Sequence, residues 1–105
     1  MSLSTHVLDA ALGRPAAGVA VRLTRGSALL AEDVTDADGR VGRLAADLAA
    51  GAHTLTFDTG GYFAATGQTG FYPEVAVTFT VTDPGEHHHV PLLLSPFAHS
   101  TYRGS

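Results

Sequence analysis

Between Val75 and Thr82 the chain alternates without a break, with Val75, Val77, Phe79 and Val81 on one side and Ala76, Thr78, Thr80 and Thr82 on the other. A period of two sends successive side chains to opposite faces of an extended strand, so this segment is half-buried and has to find an apolar layer to cover it. The same period recurs in Val19, Val21 and Leu23 against Ala20, Arg22 and Thr24, and in Leu55 and Phe57 against Thr54, Thr56 and Asp58. Turn-forming clusters separate the runs: Gly13-Arg14-Pro15, Arg25-Gly26-Ser27, Asp36-Ala37-Asp38-Gly39, Gly60-Gly61 and Asp83-Pro84-Gly85. Seven or eight short strands punctuated in this way predict an all-β sandwich. Two helical candidates remain, Leu44 to Ala50 and a turn or two around Tyr62 to Thr66, the latter hemmed in by Gly60, Gly61 and Gly67. Neither is long enough for a crossover helix, which excludes a doubly wound parallel sheet.

The segment from His87 to Ser95 departs from the half-buried pattern. Val90, Leu92 and Leu94 face one side, while Pro91 and Leu93, also apolar, face the other. A strand that is apolar on both faces is buried on both. In a chain of 105 residues, expected to form a single domain over 1–105, one face meets the chain's own core and the opposite face is expected to meet another subunit. Partners of other kinds are disfavoured. A net charge of -4 with only six lysine and arginine residues provides no basic patch for nucleic acid. No stretch approaches the roughly 20 apolar residues that cross a bilayer, and Met1 to Asp9 lack a basic region followed by an apolar run. The ending Arg103-Gly104-Ser105 is not a Ser-Lys-Leu type of address, so the expected location is the cytoplasm. With no cysteine, neither a disulfide nor a thiolate nucleophile or metal ligand is available.

Six histidines then stand out. His6 lies in a first strand, Ser4-Thr5-His6-Val7-Leu8-Asp9, on the face of Ser4 and Leu8, whereas His89 lies on the Pro91 and Leu93 face of the late strand. If the two strands share a sheet with those faces aligned, both imidazoles look into one crevice; taken singly, each reads as a hydrogen-bonded or surface strand histidine. His87 and His89 project to the same side, and together with His6 they would resemble a three-imidazole zinc site. An i, i+2 pair on a strand is a weak metal signal, however, and no carboxylate is placed to orient the rings, so no metal or cofactor is expected. His88 points the opposite way and is expected at the solvent or the rim. Arg40, following the Asp36-Ala37-Asp38-Gly39 turn, reads alone as a surface residue, and that turn lacks the third acid and closing glutamate of a calcium loop. Tyr102 to Ser105 read alone as a frayed end.

Taken together, Leu3-Ser4-Thr5-His6-Val7-Leu8-Asp9, Gly13-Arg14-Pro15-Ala16, Thr35-Asp36-Ala37-Asp38-Gly39-Arg40, the run His89-Val90-Pro91-Leu92-Leu93-Leu94-Ser95-Pro96 and the ending Ser100-Thr101-Tyr102-Arg103-Gly104-Ser105 resemble the 5-hydroxyisourate hydrolases, enzymatic relatives of transthyretin. The resemblance covers essentially the whole chain, and Tyr102-Arg103-Gly104-Ser105 is its most specific mark, because the carrier transthyretin lacks it. It implies an eight-stranded sandwich whose dimers pair sheets edge to edge and stack as a homotetramer with two open channels. It further implies active sites at the dimer–dimer interface, built from the catalytic pair His6 and His89, from Arg40, and from the tetrapeptide Tyr102, Arg103, Gly104 and Ser105. The sequence departs from the usual pattern at His88, where Tyr is common, and at Ala98-His99, where Gly-Tyr is common.

The implied reaction is metal-independent hydrolysis of a ring acyl C–N bond of 5-hydroxyisourate in urate breakdown, giving 2-oxo-4-hydroxy-4-carboxy-5-ureidoimidazoline. With no cysteine and no activated-serine signature, water is the expected nucleophile, and two imidazoles suit the base and acid roles. Arg40 would hold the flat ring by its oxygens, Tyr102 and Ser105 would add hydrogen bonds, and Arg103 would touch substrate or tie down the tail. The alternative is a transthyretin-like carrier that binds a small aromatic ligand without chemistry, in a channel expected to be apolar and free of paired histidines.

Overall fold

The structure, a computed structural model, describes residues 2–105; Met1, the first residue of the expected domain, lies outside them. Nine strands and one helix follow in the order β1 (Leu3–Asp9), β2 (Arg14–Pro15), β3 (Ala20–Arg25), β4 (Ala28–Val34), β5 (Arg40–Ala45), β6 (Gly51–Phe57), α1 (Thr59–Ala65), β7 (Val75–Val81), β8 (His88–Ser95) and β9 (Ala98–Thr101). They form two sheets. One runs β2-β1-β8-β9 with β5 also paired to β1, and the other runs β4-β3-β6-β7. β2 is only two residues long, so the expected seven or eight strands are present together with a short edge piece. Among the described residues no helix is long and apolar enough to cross a membrane.

The alternation read from sequence sets the core. Val19, Val21 and Leu23 face inward with Leu55, Phe57, Val75 and Val81 from the second sheet, against Leu3, Val7, Val90, Leu92 and Leu94 from the first. Most strand pairs are antiparallel, but β1 and β8 run parallel, with Ser4 opposite His89 and His6 opposite Pro91. α1 is capped by Asp58, whose side chain accepts the amide of Gly61 at 3.0 Å, and it buries Tyr62 and Phe63. A seven-residue helix containing two glycines has little stability of its own, so this packing is what holds it.

Two sequence expectations fail. The Leu44 to Ala50 segment is not helical: Leu44 and Ala45 complete β5, where Ala45 pairs with Leu3, and Leu48 is buried in irregular backbone. Sheet pairing and burial override the helical preference of an Ala- and Leu-rich run. His88 is not at the rim but 5% exposed. Strand parity explains this, because His88 shares its face with Val90, Leu92 and Leu94 and so points between the sheets, with its ring centroid 6.5 Å from that of Phe79.

The turn between β4 and β5 brings Arg40 to the site. Asp36 Oδ1 accepts the amides of Asp38 and Arg40, each at 2.9 Å, so the Asp-x-Asp-Gly run serves as a side-chain-supported turn. Gly39 closes it at φ 75°, and its carbonyl accepts the Val7 amide at 2.7 Å. A Cβ at Gly39 would stand 2.4 Å from the Val7 carbonyl oxygen, so glycine is required here both for conformation and for close approach.

Candidate active site

Three adjacent strands present the singled-out side chains on the outer face of the first sheet. In the β1–β5 pair His6 stands opposite Arg40, and in the β1–β8 pair Ser4 stands opposite His89. Odd residues of β1 go to the core, so even residues Ser4 and His6 share the outward face with His89. The tail returns to the same place. Gly104 donates its amide to the His89 carbonyl at 2.8 Å and forms an antiparallel bridge with that residue. The result is a shallow cleft of about 290 Å³ lined by Ser4, Arg40, Gly42, His87, His89 and Ser105.

The site residues predicted from sequence are thus only partly brought together within the chain. Arg40, His89, Gly104 and Ser105 converge. His6 lies beside them but turns its Nε2 to the Asp38 carbonyl oxygen at 2.9 Å. A carbonyl only accepts, so that nitrogen carries the proton and Nδ1 is the open lone pair of neutral His6. Tyr102 is 58% exposed and lines a neighbouring groove of about 330 Å³ with Phe79, His88, His89 and Thr101. Arg103 donates to Glu86 at 2.7 Å, an exposed pair that fastens the tail to the loop before β8.

Burial pushes the pKa of His89 below its ordinary value, and the charge of Arg40 and the neighbouring His6 and His87 push it further down, against the raising effect of the Ser4 backbone. His89 is therefore neutral at pH 7. Its Nδ1 lies 2.7 Å from Ser4 Oγ, which leaves Nε2 to face the cleft. Sequence reasoning missed Ser4 and His87 as members of this site. The signal was present, since Ser4 has the parity of His6, and His87 that of His89, but hydrogen bonding between them depends on the β1–β8 register. Among the described residues no three His, Cys, Asp or Glu side chains are grouped as metal ligands, and His87 Nε2 and His89 Nδ1 both engage Ser4.

Fold and cleft together define a small two-sheet β-sandwich that carries paired imidazoles, a guanidinium and its own chain end on one outer face. The HIUase/Transthyretin family matches residues 3–104, and the chain belongs to that family. It is 47% identical over 112 residues to the 5-hydroxyisourate hydrolase of Caulobacter vibrioides, a match covering 98% of this chain and 97% of the relative. The solved structure of Klebsiella pneumoniae 5-hydroxyisourate hydrolase superimposes with a TM-score of 0.92 at 42% identity, covering 100% of both chains. Sea bream transthyretin, solved in complex with thyroxine, superimposes with a TM-score of 0.91 at 33% identity over 99% of this chain and 95% of that one.

Proposed function

We propose that the chain is a 5-hydroxyisourate hydrolase, a single domain over residues 1–105 that opens a ring acyl C–N bond of its substrate by attack of water. The observation that carries this reading is the meeting of His89, Arg40 and the Gly104-Ser105 tail beside His6 on one sheet face. Overall shape alone does not separate hydrolase from carrier, since both superimpose equally well. Identity favours the hydrolase, at 47% and 42% against 33% for the carrier, and so do the imidazoles in the cleft.

Neutral His89 takes a proton from water through Nε2 as the oxygen bonds to the acyl carbon. Arg40, charged at every working pH, binds the ring oxygens and stabilises the negative charge that develops on the attacked carbonyl. His6, its ring held by the Asp38 carbonyl, accepts at Nδ1 and orients the attacking water, and the second proton of that water passes to the departing nitrogen as the ring opens. Ser105 supplies a hydrogen bond at the cleft wall, and Tyr102 completes the pocket from a neighbouring protomer's side. No cofactor or metal is required by these steps.

The assembly we propose is a homotetramer, a dimer of dimers in the cytoplasm. β7 and β9 end the two sheets and lie along the same groove, so both offer unpaired edges to a second copy. Exposed Phe97 and Leu12, at 71% and 46%, provide apolar surface for a further contact. The test is to generate 5-hydroxyisourate freshly from urate and follow its decay, with and without a chelator, alongside sizing chromatography. Chelator-resistant turnover by a tetramer is expected. His89→Ala and Arg40→Ala should each lose most activity, about 3 kcal/mol of transition-state binding for a well-placed charge-stabilising donor, while keeping the assembly. Near-normal turnover in either variant removes that residue from the site.

A further inference from the structure

Behind His89 runs a chain of polar contacts that leads to the surface. Ser4 Oγ lies 2.7 Å from His89 Nδ1 and 2.9 Å from His87 Nε2, and His87 Nδ1 lies 2.5 Å from Ser2 Oγ in an exposed contact. A serine hydroxyl has one proton, so Ser4, held between two ring nitrogens, donates to one and accepts from the other. Two arrangements satisfy every partner. In the first, His89 donates from Nδ1 to Ser4, Ser4 donates to His87 Nε2, and His87 donates from Nδ1 to Ser2; His89 Nε2 is then a bare lone pair. In the second, all three bonds reverse and His89 Nε2 carries a proton.

The hydrolysis proposed above gives such a path a use. Water brings two protons: one goes to the departing nitrogen, and the other is surplus, because the new acid is a carboxylate at neutral pH. When His89 Nε2 accepts a proton, the imidazolium sits beside Arg40 from β5, whose fixed charge opposes it, with His6 from β1 and His87 on its flank. Shifting Nδ1–H to Ser4, Ser4 O–H to His87 Nε2, His87 Nδ1–H to Ser2, and Ser2 O–H to bulk water discharges that imidazolium. One proton enters at Nε2 and one leaves at Ser2, no heavy-atom bond changes, and the chain is left in the second arrangement; once product has gone, His89 gives its Nε2 proton to water in the open cleft while Ser2 takes one up, which restores the first.

We propose that Ser4 and His87 form a proton relay behind His89 that discharges its imidazolium to the surface at Ser2 within each turnover and resets through the open cleft. The relay rests on the hydrolase reading for its purpose, but not for its existence. Ser4 and His87 are positioning and transfer residues that act through His89, and binding of the substrate ring does not depend on them.

The experiment compares the parent protein with Ser4→Ala and His87→Ala in the full chain. Both variants should lose kcat by roughly ten- to hundredfold, the scale on which outer partners of an imidazole act, with KM changed less than about twofold. Added imidazole should restore His87→Ala saturably, because a small base can take the proton from Ser4, and should leave Ser4→Ala slow. Retention of kcat in either variant, or failure of imidazole to restore His87→Ala, overturns the relay. NMR of 15N-labelled imidazoles in the absence of substrate gives a second reading. In the parent, the His87 and His89 nitrogens should each report both macroscopic steps of the coupled pair, and in Ser4→Ala each should report a single step of its own. Independent titration in both proteins overturns the relay even if hydrolysis is normal. Coupled titration in a parent that does not hydrolyse 5-hydroxyisourate overturns the functional reading and leaves the relay standing.

Discussion

At the scale of single residues, His89 is the most tightly specified side chain in the cleft: Ser4 holds one edge of its ring, and Gly104 lies flat against another. A Cβ at position 104 would fall 2.4 Å from His89 Cδ2, so Gly104→Ala has to displace either the ring or the tail. Misplacement of a reacting group by about 1 Å can cost roughly a hundredfold in rate, and kcat/KM of Gly104→Ala should fall on that scale while the melting temperature changes little. Steady-state kinetics beside a thermal melt checks this. The lowered pKa of His89 also sets a pH profile. The neutral, proton-accepting form persists below the usual histidine range, so the acid limb of kcat/KM should lie below the ordinary value of 6.5. A limb at or above that value would mean that another group is the base. Arg40→Ala removes the nearest fixed positive charge and should move the limb upward in whatever activity remains.

Among the elements, the join between β1 and α1 is made by one carboxylate. Asp9, at the end of β1, accepts from Tyr62 Oη at 2.7 Å, Gln68 Nε2 at 3.0 Å and the Leu12 amide at 2.8 Å. Burial pushes its pKa up, but these hydrogen bonds and that of the Ala11 amide outweigh burial and hold it below the usual carboxylate value. Burial, and then the Asp9 bond and charge, push the Tyr62 hydroxyl up to about 12. A carboxylate with a lowered folded pKa stabilises the fold above its unfolded value, and that contribution is lost as pH falls through the folded one. Tyr62→Phe should therefore cost about 1–3 kcal/mol at neutral pH and flatten the loss of stability below about pH 4, as read by urea unfolding at several pH values. Strands of this kind were legible from sequence wherever alternation was strict, as in β3, β6 and β7. The Asp9–Tyr62 link was not, since it joins residues 53 apart whose proximity is set by how α1 docks. His88 was misread although its parity with Val90, Leu92 and Leu94 was visible, because the side turned away from the cleft histidines reads as solvent when it is the core. The Ser4–His87 contact needed the parallel register of β1 and β8, which periodicity does not encode.

For the molecule as a whole, the proposed tetramer makes stability a function of concentration. If β7 and β9 edges and the Phe97 surface are covered by other copies, the melting temperature should rise with protein concentration, because association draws folded protomers out of the unfolding equilibrium. A melt unchanged across a hundredfold dilution, with a monomer on sizing, would sink the assembly. The site has a further dependence on the whole chain, which follows from the pairing of β1 with β8. Ser4 and His89 are neighbours across 85 residues of sequence, so the cleft takes shape only after nearly the entire polypeptide has been threaded into place. Long-range pairings of this sort form slowly, and no contiguous fragment shorter than that span holds both walls. Regain of turnover during refolding should accordingly be a late event, reporting completion of the topology rather than the appearance of β-structure.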